Sequence, residues 1–395
     1  MRVLHVSPYS GDAWAYGGIP RVVEALTDGL AARGHEVTVC TTDVADATSR
    51  LQRPGRRWKP WSARRPSGVR VRIFPNASNR LAYGQQLFLP VGFRRFLRAE
   101  ASQYDVAHVH ACRNFPGSMA AAAFERAGVP YVLAPNGTAP IIERRYLAKR
   151  AFDLFWGRRV MRGAARVIAV TGAERTQFQR LGIRDEAIRY LPNPVDLPEA
   201  VGPRVRGGFR GQFGIGTEPL IVFLGKLTPR KRVDVLIRAL QRVSDPRTRL
   251  VIAGNDMGSR RELEGLVGAL ALTDRVTFVG LLSGSARLDA LADADVVVYP
   301  SEHEIFGLVP CEALSVGTPV IVSNDSGCGE ILGSLPGVIT APVGDVLALS
   351  AAIDVVLGSR VAWRSHASDA SSSIRMRFGT PAVCSDLERI YAELL

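Results

Sequence analysis

The chain has 395 residues, of which 47% are hydrophobic and 22% charged, and its formal net charge is +13. This composition excludes an intrinsically disordered protein, and the length exceeds what one hydrophobic core normally serves, so we expect two domains. No window approaches the roughly 18 consecutive apolar residues that a membrane-spanning helix requires.

The first ten residues, MRVLHVSPYS, predict a β-strand and not a signal peptide, because they carry one basic residue and only a short apolar run. The five cysteines of the chain are scattered and form no CxxC pair. This pattern is typical of structural thiols in a reducing cytoplasm and not of a disulfide framework or a zinc site.

Apolar β-rich runs alternate with helical patterns along the first half of the chain. In order, these segments are RVLHVS, GGIPRVVEALTDGLAARGH, EVTVCTT, VRVRIFP, YDVAHVH, PGSMAAAAFERAG, PYVLAP and ARVIAVTG. Strands that are separated by helices predict a parallel sheet with helices on both faces.

The first strand leads into a long loop that enters a helix at Gly17 and Gly18. The motif G-x-G-x-x-G does not follow the strand, which argues against a nicotinamide-dependent dehydrogenase. Two glycines at a helix start are also compatible with a turn or a packing role, but their place at the carboxyl end of the first strand favours a function.

The positive charge lies almost entirely in the first half. Residues 1–200 carry 30 Lys and Arg against 16 Asp and Glu, and residues 201–395 carry 20 against 21. Basic residues alternate with Trp, Phe and Leu in residues 53–72, 93–98 and 143–166. This interleaving favours an anionic membrane surface or ligand, and a solvated surface of an arginine-rich protein is the alternative. Nucleic acid is not expected, because no helix-turn-helix, zinc-finger or RNA-binding signature is present.

His108 and His110 end a predicted strand and lie on one face of it, because side chains alternate along a strand. We predict core packing for His108. His110 lies nearer the following loop, so both core packing and a functional role are open for it.

The alternation of strands and helices restarts after residues 191–219, which are rich in Pro and Gly and predict an interdomain connection. The second series is PLIVFLG, RVDVLIRALQRV, RLVIAG, SRRELEGLVGALAL, RVTFVG, SARLDALADA, DVVVYP, VPCEALSVG and PVIVS, and a helix follows at the C-terminus. Two Rossmann-like domains that face one cleft would bind ligands at the carboxyl ends of both sheets.

Four cations directly follow the first strand of the second series: Lys226, Arg230, Lys231 and Arg232. A diphosphate bound there would meet these cations and the amides of a helix start without a metal ion. The Asp293-Ala-Asp295 motif is predicted to mark the boundary between a helix and a strand and not a metal site, since no second acidic cluster accompanies it.

The stretch EIFGLVPCE places Glu304 and Glu312 eight positions apart, with Gly307 between them. The run VVVYP predicts a buried strand before it, and VPCEALSVG predicts a helix. Glu304 is therefore expected in the loop and Glu312 in the helix. Free backbone N–H groups at the helix start, with Gly307 permitting a close approach, favour a bound phosphate.

Four segments together resemble glycosyltransferase family 4, and the resemblance spans nearly the whole chain. They are GGIPRVVEALTDGLAARGHEVTV, LPNPVDL, GKLTPRKRVDVLIRAL and ADVVVYPSEHEIFGLVPCEALSVGTPVIVSNDSGCGEIL. The E-x7-E signature, formed by Glu304 and Glu312, is the most specific part of the resemblance. The resemblance implies an α/β protein of the GT-B fold, in which two Rossmann-like domains with parallel sheets face an interdomain cleft. It also implies a retaining mechanism without a metal or other cofactor. Residues 1–195 would form one domain with a C-terminal helix, 381–395, that packs back on it, and residues 196–380 would form the other.

The resemblance also assigns roles to individual residues. Glu304 would contact the transferred sugar, while Lys226 and Lys231 would stabilise the leaving diphosphate. Glu312 would bind the ribose of the nucleotide. The other donor-binding residues would be Gly17, Gly18 and Arg230, together with the backbone N–H groups of Ile305, Phe306, Gly307 and Leu308.

Lys226 stands where the family usually has arginine, and Arg232 replaces its common glycine. A third departure from the family matters more for the site. Many relatives carry a histidine near the reacting sugar, where this chain has Asn136 and Gly137. Asn136 can offer a side-chain hydrogen bond but does not titrate near pH 7. The candidates for the acceptor or sugar side are therefore His110, Asn136 and Gly137.

We expect a retaining, metal-independent hexosyltransferase that uses a nucleotide-diphosphate sugar and acts on a saccharide or lipid-linked acceptor in cell-surface polysaccharide or glycolipid biosynthesis. The basic first half predicts a cytoplasmic protein that binds peripherally to the inner face of the plasma membrane. A nucleotide-sugar epimerase of the same fold and a non-catalytic protein that binds a sugar nucleotide or lipid phosphate are the alternatives. A glycosidase with two catalytic carboxylates would not explain the Lys226 and Lys231 loop.

Overall fold

The computed structural model describes residues 1–46, 48–52, 58–140, 146–195, 207–282, 284–325 and 327–395. Parts of the basic segments 53–72 and 143–166, and part of the connection 191–219, lie outside the described residues. The chain divides into two compact units, which are Met1–Asp196 with Thr380–Leu395 (unit 1) and Leu197–Gly379 (unit 2). The boundaries expected from the sequence differ from these by one residue.

Unit 1 contains a sheet that has eight strands within the described residues. The strands are β1 (Arg2–Val6), β2 (Glu36–Thr42), β3 (Trp61–Arg64), β4 (Arg70–Phe74), β5 (Val106–His110), β6 (Tyr131–Ala134), β7 (Arg166–Ala169) and β8 (Ile188–Tyr190). Their order is β3-β4-β2-β1-β5-β6-β7-β8. All neighbours are parallel except β3 and β4. The antiparallel strand β3 was not predicted.

Seven helices of unit 1 lie between these strands in the described part of the chain. They are α1 (Gly18–Ala32), α2 (Asn79–Gln85), α3 (Phe93–Glu100), α4 (Phe115–Ala127), α5 (Tyr146–Phe152), α6 (Arg158–Gly163) and α7 (Gly172–Arg180). A π-helical turn, Asp153–Gly157, joins α5 to α6. The small side chains on the buried face of α4, such as Ala120 and Ala121, let the helix pack closely in the core.

Unit 2 contains a parallel sheet that has six strands in the described residues. The strands are β9 (Leu220–Leu224), β10 (Arg249–Ala253), β11 (Val276–Gly280), β12 (Val296–Tyr299), β13 (Val320–Ser323) and β14 (Val338–Ala341). Their order is β11-β10-β9-β12-β13-β14. Strands β9 and β12 are buried throughout, as the continuous apolar runs predict for a sheet covered on both faces.

The remaining helices follow in chain order. They are α8 (Gly208–Gln212), α9 (Val233–Leu240), α10 (Arg260–Ala269), α11 (Gly284–Asp293), α12 (Leu308–Ser315), α13 (Gly327–Leu332), α14 (Val346–Gly358), α15 (Arg360–Phe378) and α16 (Thr380–Ala392). Among the described residues, no single helix is both long and apolar enough to cross a membrane. Helices α14 and α15, which meet at an angle of 96°, are long and apolar enough only when they are taken together. This statement concerns their length and composition alone.

Helix α16 belongs to unit 1, where it packs against α1. Its apolar face, which includes Leu387 and Tyr391, is fully buried. At its rim, Glu388 accepts hydrogen bonds from Arg33 and Glu393 from Arg189. Burial of the apolar stripe therefore fixes the last helix on the first unit, and the ion pairs align it.

Each sheet reverses its strand order at one place. In unit 1, β1 and β5 are neighbours, with strands β2 to β4 beyond β1 and strands β6 to β8 beyond β5. In unit 2, β9 and β12 are neighbours in the same way, with β10 and β11 beyond β9 and β13 and β14 beyond β12. In open α/β sheets, ligands bind outside the carboxyl ends of the strands at such a switch point. In unit 1 the loops that follow β1 and β5 are therefore where a ligand is expected. In unit 2 the loops that follow β9 and β12 take that place.

Candidate active site

The switch point of unit 2 brings together two loops that are far apart in the sequence. Strands β9 and β12 pair directly, with Ile221 opposite Val296. The loop after β9 carries Lys226, and it ends in a 3₁₀ turn, Pro229–Lys231. The loop after β12 carries Glu304. Parallel pairing of the two strands places both loops at the same edge of the sheet.

Lys231 and Glu304 form a buried ion pair at this edge. Lys231 Nζ lies 2.5 Å from Glu304 Oε2 and donates a second hydrogen bond of 2.5 Å to Tyr299 Oη. Tyr299 Oη in turn donates to Glu304 Oε2 at 3.4 Å. The side chains of Lys231 and Glu304 are 10% and 18% exposed. Tyr299, the last residue of β12, thus orients both charges.

Both members of the pair are charged at neutral pH. Burial by itself would lower the pKa of Lys231, but the Glu304 carboxylate outweighs this effect and holds that pKa above its ordinary value. Burial would likewise raise the pKa of Glu304, and the charges of Lys231 and Arg230 hold it below its ordinary value. Burial raises the pKa of Tyr299 to about 12, so its hydroxyl remains protonated.

The pair keeps hydrogen-bonding capacity for a ligand. A lysine ammonium has three donors, and Lys231 directs two of them to Tyr299 and Glu304. Both hydrogen bonds to the Glu304 carboxylate reach Oε2, and no described residue donates to Oε1. One ammonium N–H and one carboxylate oxygen thus remain for an anion and a hydroxyl group.

The loop from Glu304 to helix α12 presents a row of backbone donors. The N–H groups of Ile305, Phe306, Gly307 and Leu308 form no hydrogen bond with the described residues. Gly307 has φ 80°, which favours glycine, and a Cβ on it would lie 2.5 Å from Cys328 Sγ. Phe306 is buried and packs its ring on Phe378, so its side chain belongs to the core of unit 2. Such a row at a helix start is suited to phosphate or sugar oxygens.

The other predicted cations lie on the loop after β9. Lys226 is half-buried two residues after the strand. Arg230 donates to the backbone oxygen of His303, which joins the two loops. Arg232 has φ 49°, in the left-handed region, and its side chain pairs with Glu302 and Asp234.

Glu312 is positioned differently from Glu304. It lies in the middle of α12, as predicted, its side chain is 0% exposed, and it forms an ion pair with the buried Arg287 of α11. No pattern in the sequence singles out Arg287. The ribose contact that the resemblance implies for Glu312 stays a prediction.

In unit 1, the loop after β1 ends at Gly17, which is the N-cap residue of α1. Its φ of 90° and ψ of −138° lie in a region that only glycine adopts readily. Gly18 is the first residue of α1. The two predicted glycines therefore shape the entry into the helix at the switch point of this unit.

His110 lies inside the core, as does His108. Both are 0% exposed, together with His5, which pairs with His108 across β1 and β5. His5 Nδ1 and His110 Nε2 lie 2.9 Å apart, and His108 Nδ1 lies 2.7 Å from Tyr391 Oη on α16. Core packing, predicted for His108, is confirmed, and of the two interpretations left open for His110 the structure favours core packing.

The histidine cluster forms a hydrogen-bonded chain. The rings of His108 and His110 are stacked, with centroids 4.2 Å apart and planes 14° from parallel. Because ring lone pairs lie in the ring planes, these two histidines do not direct them at one point. Burial lowers the pKa of His5 and His108 well below the ordinary value and that of His110 to about 3, so all three rings are neutral.

Asn136 and Gly137 form a left-handed turn after β6, with φ of 50° and 77°. Gly137 N donates to Glu174 Oε1 at 2.8 Å. Glu174 was not predicted as a site residue. Its only sequence signal is the capping-box pattern of Thr171-x-x-Glu174 at the start of α7.

The Asp293 and Asp295 carboxylates are bound to protein donors. Asp293 accepts from the backbone N–H groups of Gly207 and Arg210, and Asp295 accepts from the Arg210 side chain and from Leu220 N. This agrees with the predicted role at an element boundary.

Both units match known protein families. Residues 16–199 match Glycosyltransferase Family 4, and residues 207–371 match Glycosyl transferases group 1. The curated relatives include a D-inositol 3-phosphate glycosyltransferase of Actinosynnema mirum, 31% identical over 350 residues that cover 82% of this chain and 80% of the relative. The enzyme of the same name from Mycolicibacterium smegmatis is 31% identical over 344 residues, covering 82% and 75%.

Solved structures share the fold at lower identity. Sucrose-phosphate synthase from Thermosynechococcus elongatus superposes with a TM-score of 0.78 at 21% identity, covering 100% of this chain and 99% of the other. HepE of Anabaena, solved with UDP and glucose, gives 0.76 at 20% identity and covers 100% of both chains. The lipopolysaccharide glycosyltransferase WaaG gives 0.67 at 19% identity, covering 98% and 99%. The chain therefore belongs to the group 1 and family 4 glycosyltransferases, retaining enzymes of the GT-B fold that take their sugar from a nucleotide-sugar donor.

Proposed function

We propose that this protein is a metal-independent hexosyltransferase that acts on a saccharide or lipid-linked acceptor in cell-surface polysaccharide or glycolipid biosynthesis. The observation that carries the proposal is the Lys231–Glu304 pair beside the backbone amides of Ile305 to Leu308, which bond to no residue in the described part of the chain. This edge of the sheet combines a buried cation, a carboxylate oxygen and a row of amides, which a nucleoside-diphosphate sugar requires.

The chemistry follows from these groups. Glu304 Oε1 accepts a hydrogen bond from a hydroxyl group of the bound hexose and orients the sugar. The bond between the anomeric carbon and the diphosphate oxygen breaks, and its electron pair stays on the diphosphate. Lys231, Lys226 and the amides stabilise the developing charge, and one such donor is worth roughly 3 kcal/mol of the barrier.

The acceptor hydroxyl group attacks the same face of the sugar that the diphosphate leaves. Its proton passes to an oxygen of the leaving diphosphate, so no protein nucleophile takes part. The protein's cations and amides supply the electrostatic stabilisation that a metal ion supplies in other transferases.

A phosphorylated acceptor suits the basic first half of the chain. The relatives from Actinosynnema mirum and Mycolicibacterium smegmatis are named for D-inositol 3-phosphate, a soluble phosphorylated polyol. Lipid-linked saccharides carry phosphate as well. Parallel assays with a soluble phosphorylated polyol and with a lipid-phosphate-linked saccharide distinguish the two classes of acceptor.

A surface groove of unit 1 supports the peripheral membrane location. The groove has a volume of about 1030 Å³ and lies between α3, α4 and α6. Among the described residues that line it, none is acidic and four are arginines: Arg94, Arg98, Arg126 and Arg159. The first three have no ion-pair partner among the described residues, whereas Arg159 pairs with Glu125.

Exposed apolar side chains occur on α5 and in the π-helical turn that follows it. Leu154 and Phe155, in the π-helical turn, are 64% and 68% exposed, and Leu147 on α5 is 80% exposed. Phe155 and Trp156 form one wall of the groove. Cationic and apolar side chains on one surface favour the interface of an anionic bilayer, at the inner face of the plasma membrane.

The decisive experiment measures release of nucleoside diphosphate from a panel of UDP and GDP hexoses, with and without an acceptor. We expect Glu304→Ala, Lys226→Ala and Lys231→Ala each to abolish release, while Arg238→Met, on the exposed face of α9, retains it. Near-normal turnover in all three alanine variants would refute the site. An epimerase would release nucleoside diphosphate together with an epimerised sugar and would need no acceptor, and a non-catalytic protein would bind the donor without turnover.

A further inference from the structure

One face of α4 forms the floor of the groove in unit 1. Helices α3 and α6 both pack against α4, and the groove lies between them. The residues of α4 that line it recur three or four positions apart, which places them on one face of the helix: Phe115, Met119, Ala122 and Arg126. None of the described lining residues belongs to the loops after β1 and β5. The groove is therefore a feature of the helical layer.

Small side chains keep this floor open. Ala122 and Ala123 on α4 are only partly buried, and Ala101 and Ala127 line the groove as well. The groove has a volume of about 1030 Å³, which is at the upper end of the range for pockets that bind small organic ligands. A free phosphate would fill only a small part of this space.

The groove is long enough for an acyl chain. Its lining extends along α4 from Phe115 to Ala127, and the helix rises by about 18 Å between these residues. One leaflet contributes about 15 Å to the hydrocarbon core of a bilayer, and a single chain spans that distance. One chain therefore fits lengthwise along α4.

The two ends of the groove differ in chemical character. At the start of α4, the Phe115 ring packs on Trp156 with centroids 5.4 Å apart, and Phe155 packs on Trp156 at 5.6 Å. At the end of α4, Glu125 pairs with Arg159 of α6, and Arg126 is its neighbour in the sequence. One end is therefore aromatic and the other cationic.

Arg98 belongs to the cationic end. Ser102, about one turn after Arg98, precedes β5, and Ala127 precedes β6. Because β5 and β6 are parallel neighbours, the segments that precede them lie at the same edge of the sheet. Arg98 and Arg126 have no ion-pair partner in the described part of the chain. A guanidinium group binds phosphate oxygens through paired N–H donors, so this end suits a phosphate.

We propose that the groove binds one acyl chain of an anionic membrane phospholipid. The phosphate lies at Arg98 and Arg126, and the chain follows α4 past Ala122 to Phe155 and Trp156. Charge complementarity selects the anionic head, and burial of apolar surface on the alanine floor holds the chain. The inference deepens the proposed peripheral membrane location and rests on it. It adds a site for one lipid molecule, and it uses no residue of the donor site.

The first test measures lipid binding by the full-length protein without a membrane. Isothermal titration calorimetry compares a short-chain phosphatidylglycerol, below its micelle concentration, with the matching phosphatidylcholine and with glycerol phosphate. We expect phosphatidylglycerol to bind at least about tenfold more tightly than phosphatidylcholine, because Arg98 and Arg126 face its net charge. Glycerol phosphate lacks the chains and should also bind at least about tenfold more weakly. Equal affinity for phosphatidylglycerol and either comparison ligand would overturn the proposal.

Ala122→Phe fills the floor and leaves every charge in place. We expect it to lower the affinity for phosphatidylglycerol by about tenfold, which is the contribution of roughly two buried methylene groups. Ala32→Phe, at an exposed position at the end of α1, is the matched control and should bind as the wild type does. Unchanged affinity in folded Ala122→Phe would contradict the proposal. If Ala122→Phe does not fold, Ala123→Leu at the neighbouring floor position takes its place.

Arg98→Gln with Arg126→Gln removes charge and keeps the floor. This double variant should bind phosphatidylglycerol and phosphatidylcholine with equal affinity, because only the interaction with the net charge of the head is lost. A persistent tenfold preference for phosphatidylglycerol would overturn the assignment of the phosphate to these two arginines.

Vesicle flotation separates the inference from the proposed function on which it rests. A wild type that floats with anionic vesicles but does not bind the short-chain lipid would overturn the lipid site and leave the peripheral location in place. A wild type that binds neither would overturn both. Absence of turnover in the wild type would refute the transferase function alone, because lipid binding is measured without substrates.

Discussion

Lys231 and Glu304 are 73 positions apart in the chain, yet Lys231 Nζ and Glu304 Oε2 lie 2.5 Å apart. Their loops follow β9 and β12, which are neighbours in the sheet although β10 and β11 come between them in the sequence. Each charge stabilises the ionised form of the other in a site that excludes most water. The pair is the centre of the proposed donor site.

Replacing Lys231 with Met should separate catalysis from stability. We expect kcat for nucleoside-diphosphate release to fall by about 100-fold or more, because a cation that stabilises the leaving group is lost. The single variant should also be destabilised, since Glu304 loses its buried partner. The double variant Lys231→Met, Glu304→Gln should regain stability in urea unfolding but not activity. Recovery of both properties would contradict a catalytic role.

Replacing Arg287 with Leu should destabilise unit 2. Glu312 and Arg287 are both buried, and removing one member of a buried ion pair costs about 3–5 kcal/mol. Arg260→Leu is the matched control, because its pair with Glu264 on α10 is exposed and should contribute less than about 1 kcal/mol. Urea unfolding measures both. Equal losses of unfolding free energy in the two variants would show that the buried pair contributes no more to stability than the exposed pair.

Removing the Tyr391 hydroxyl group should loosen α16. Tyr391→Phe leaves His108 Nδ1 without its 2.7 Å partner in the core, which should cost about 1–3 kcal/mol of unfolding free energy. Tyr146→Phe, with a half-exposed ring on α5, should change stability by less than about 0.5 kcal/mol. Hydrogen exchange of α16 should accelerate only in Tyr391→Phe. Unchanged exchange would show that apolar packing alone holds the helix.

The histidine cluster should make unit 1 sensitive to acid. The folded-state pKa of each ring lies below the ordinary value of 6.5. Below pH 6.5 the unfolded chain therefore binds protons that the folded chain does not, and stability falls as the pH decreases, by at most about 1.4 kcal/mol per pH unit for each histidine. His110→Gln should reduce this slope in urea unfolding at several pH values. An unchanged slope would mean that other groups cause the acid sensitivity.

Charge reversal in the arginine groove should weaken membrane binding. We expect Arg94→Glu with Arg98→Glu to reduce binding to anionic phospholipid vesicles at low salt by at least about tenfold, since each arginine near such a surface contributes roughly 1 kcal/mol. Arg180→Glu, an exposed arginine on α7, makes the same type of change elsewhere on unit 1 and should have a smaller effect. Flotation of vesicles with the protein provides the measurement. No binding by the wild type would support the alternative of a solvated basic surface.

The sequence by itself determined the local features of this protein. The alternation of apolar strands and helices, the glycines at the entry to α1, and the separation of Glu304 in a loop from Glu312 in a helix all follow from patterns of a few residues. Each is set by backbone periodicity, caps and turn chemistry, which act over short distances along the chain. The family signature added roles to the same residues.

Only the tertiary structure decided which residues meet. Strand order at β9 and β12 joins Lys231 to Glu304, and register between β1 and β5 places His5 beside His108. Arg287 and Tyr391 had no distinctive local signal, because their partners lie on other elements. Glu174 had only a capping-box pattern, which does not indicate its contact with Gly137 after β6. Long-range pairing depends on how sheets and helices pack to bury apolar surface, and that packing is a property of the whole fold and not of any one segment.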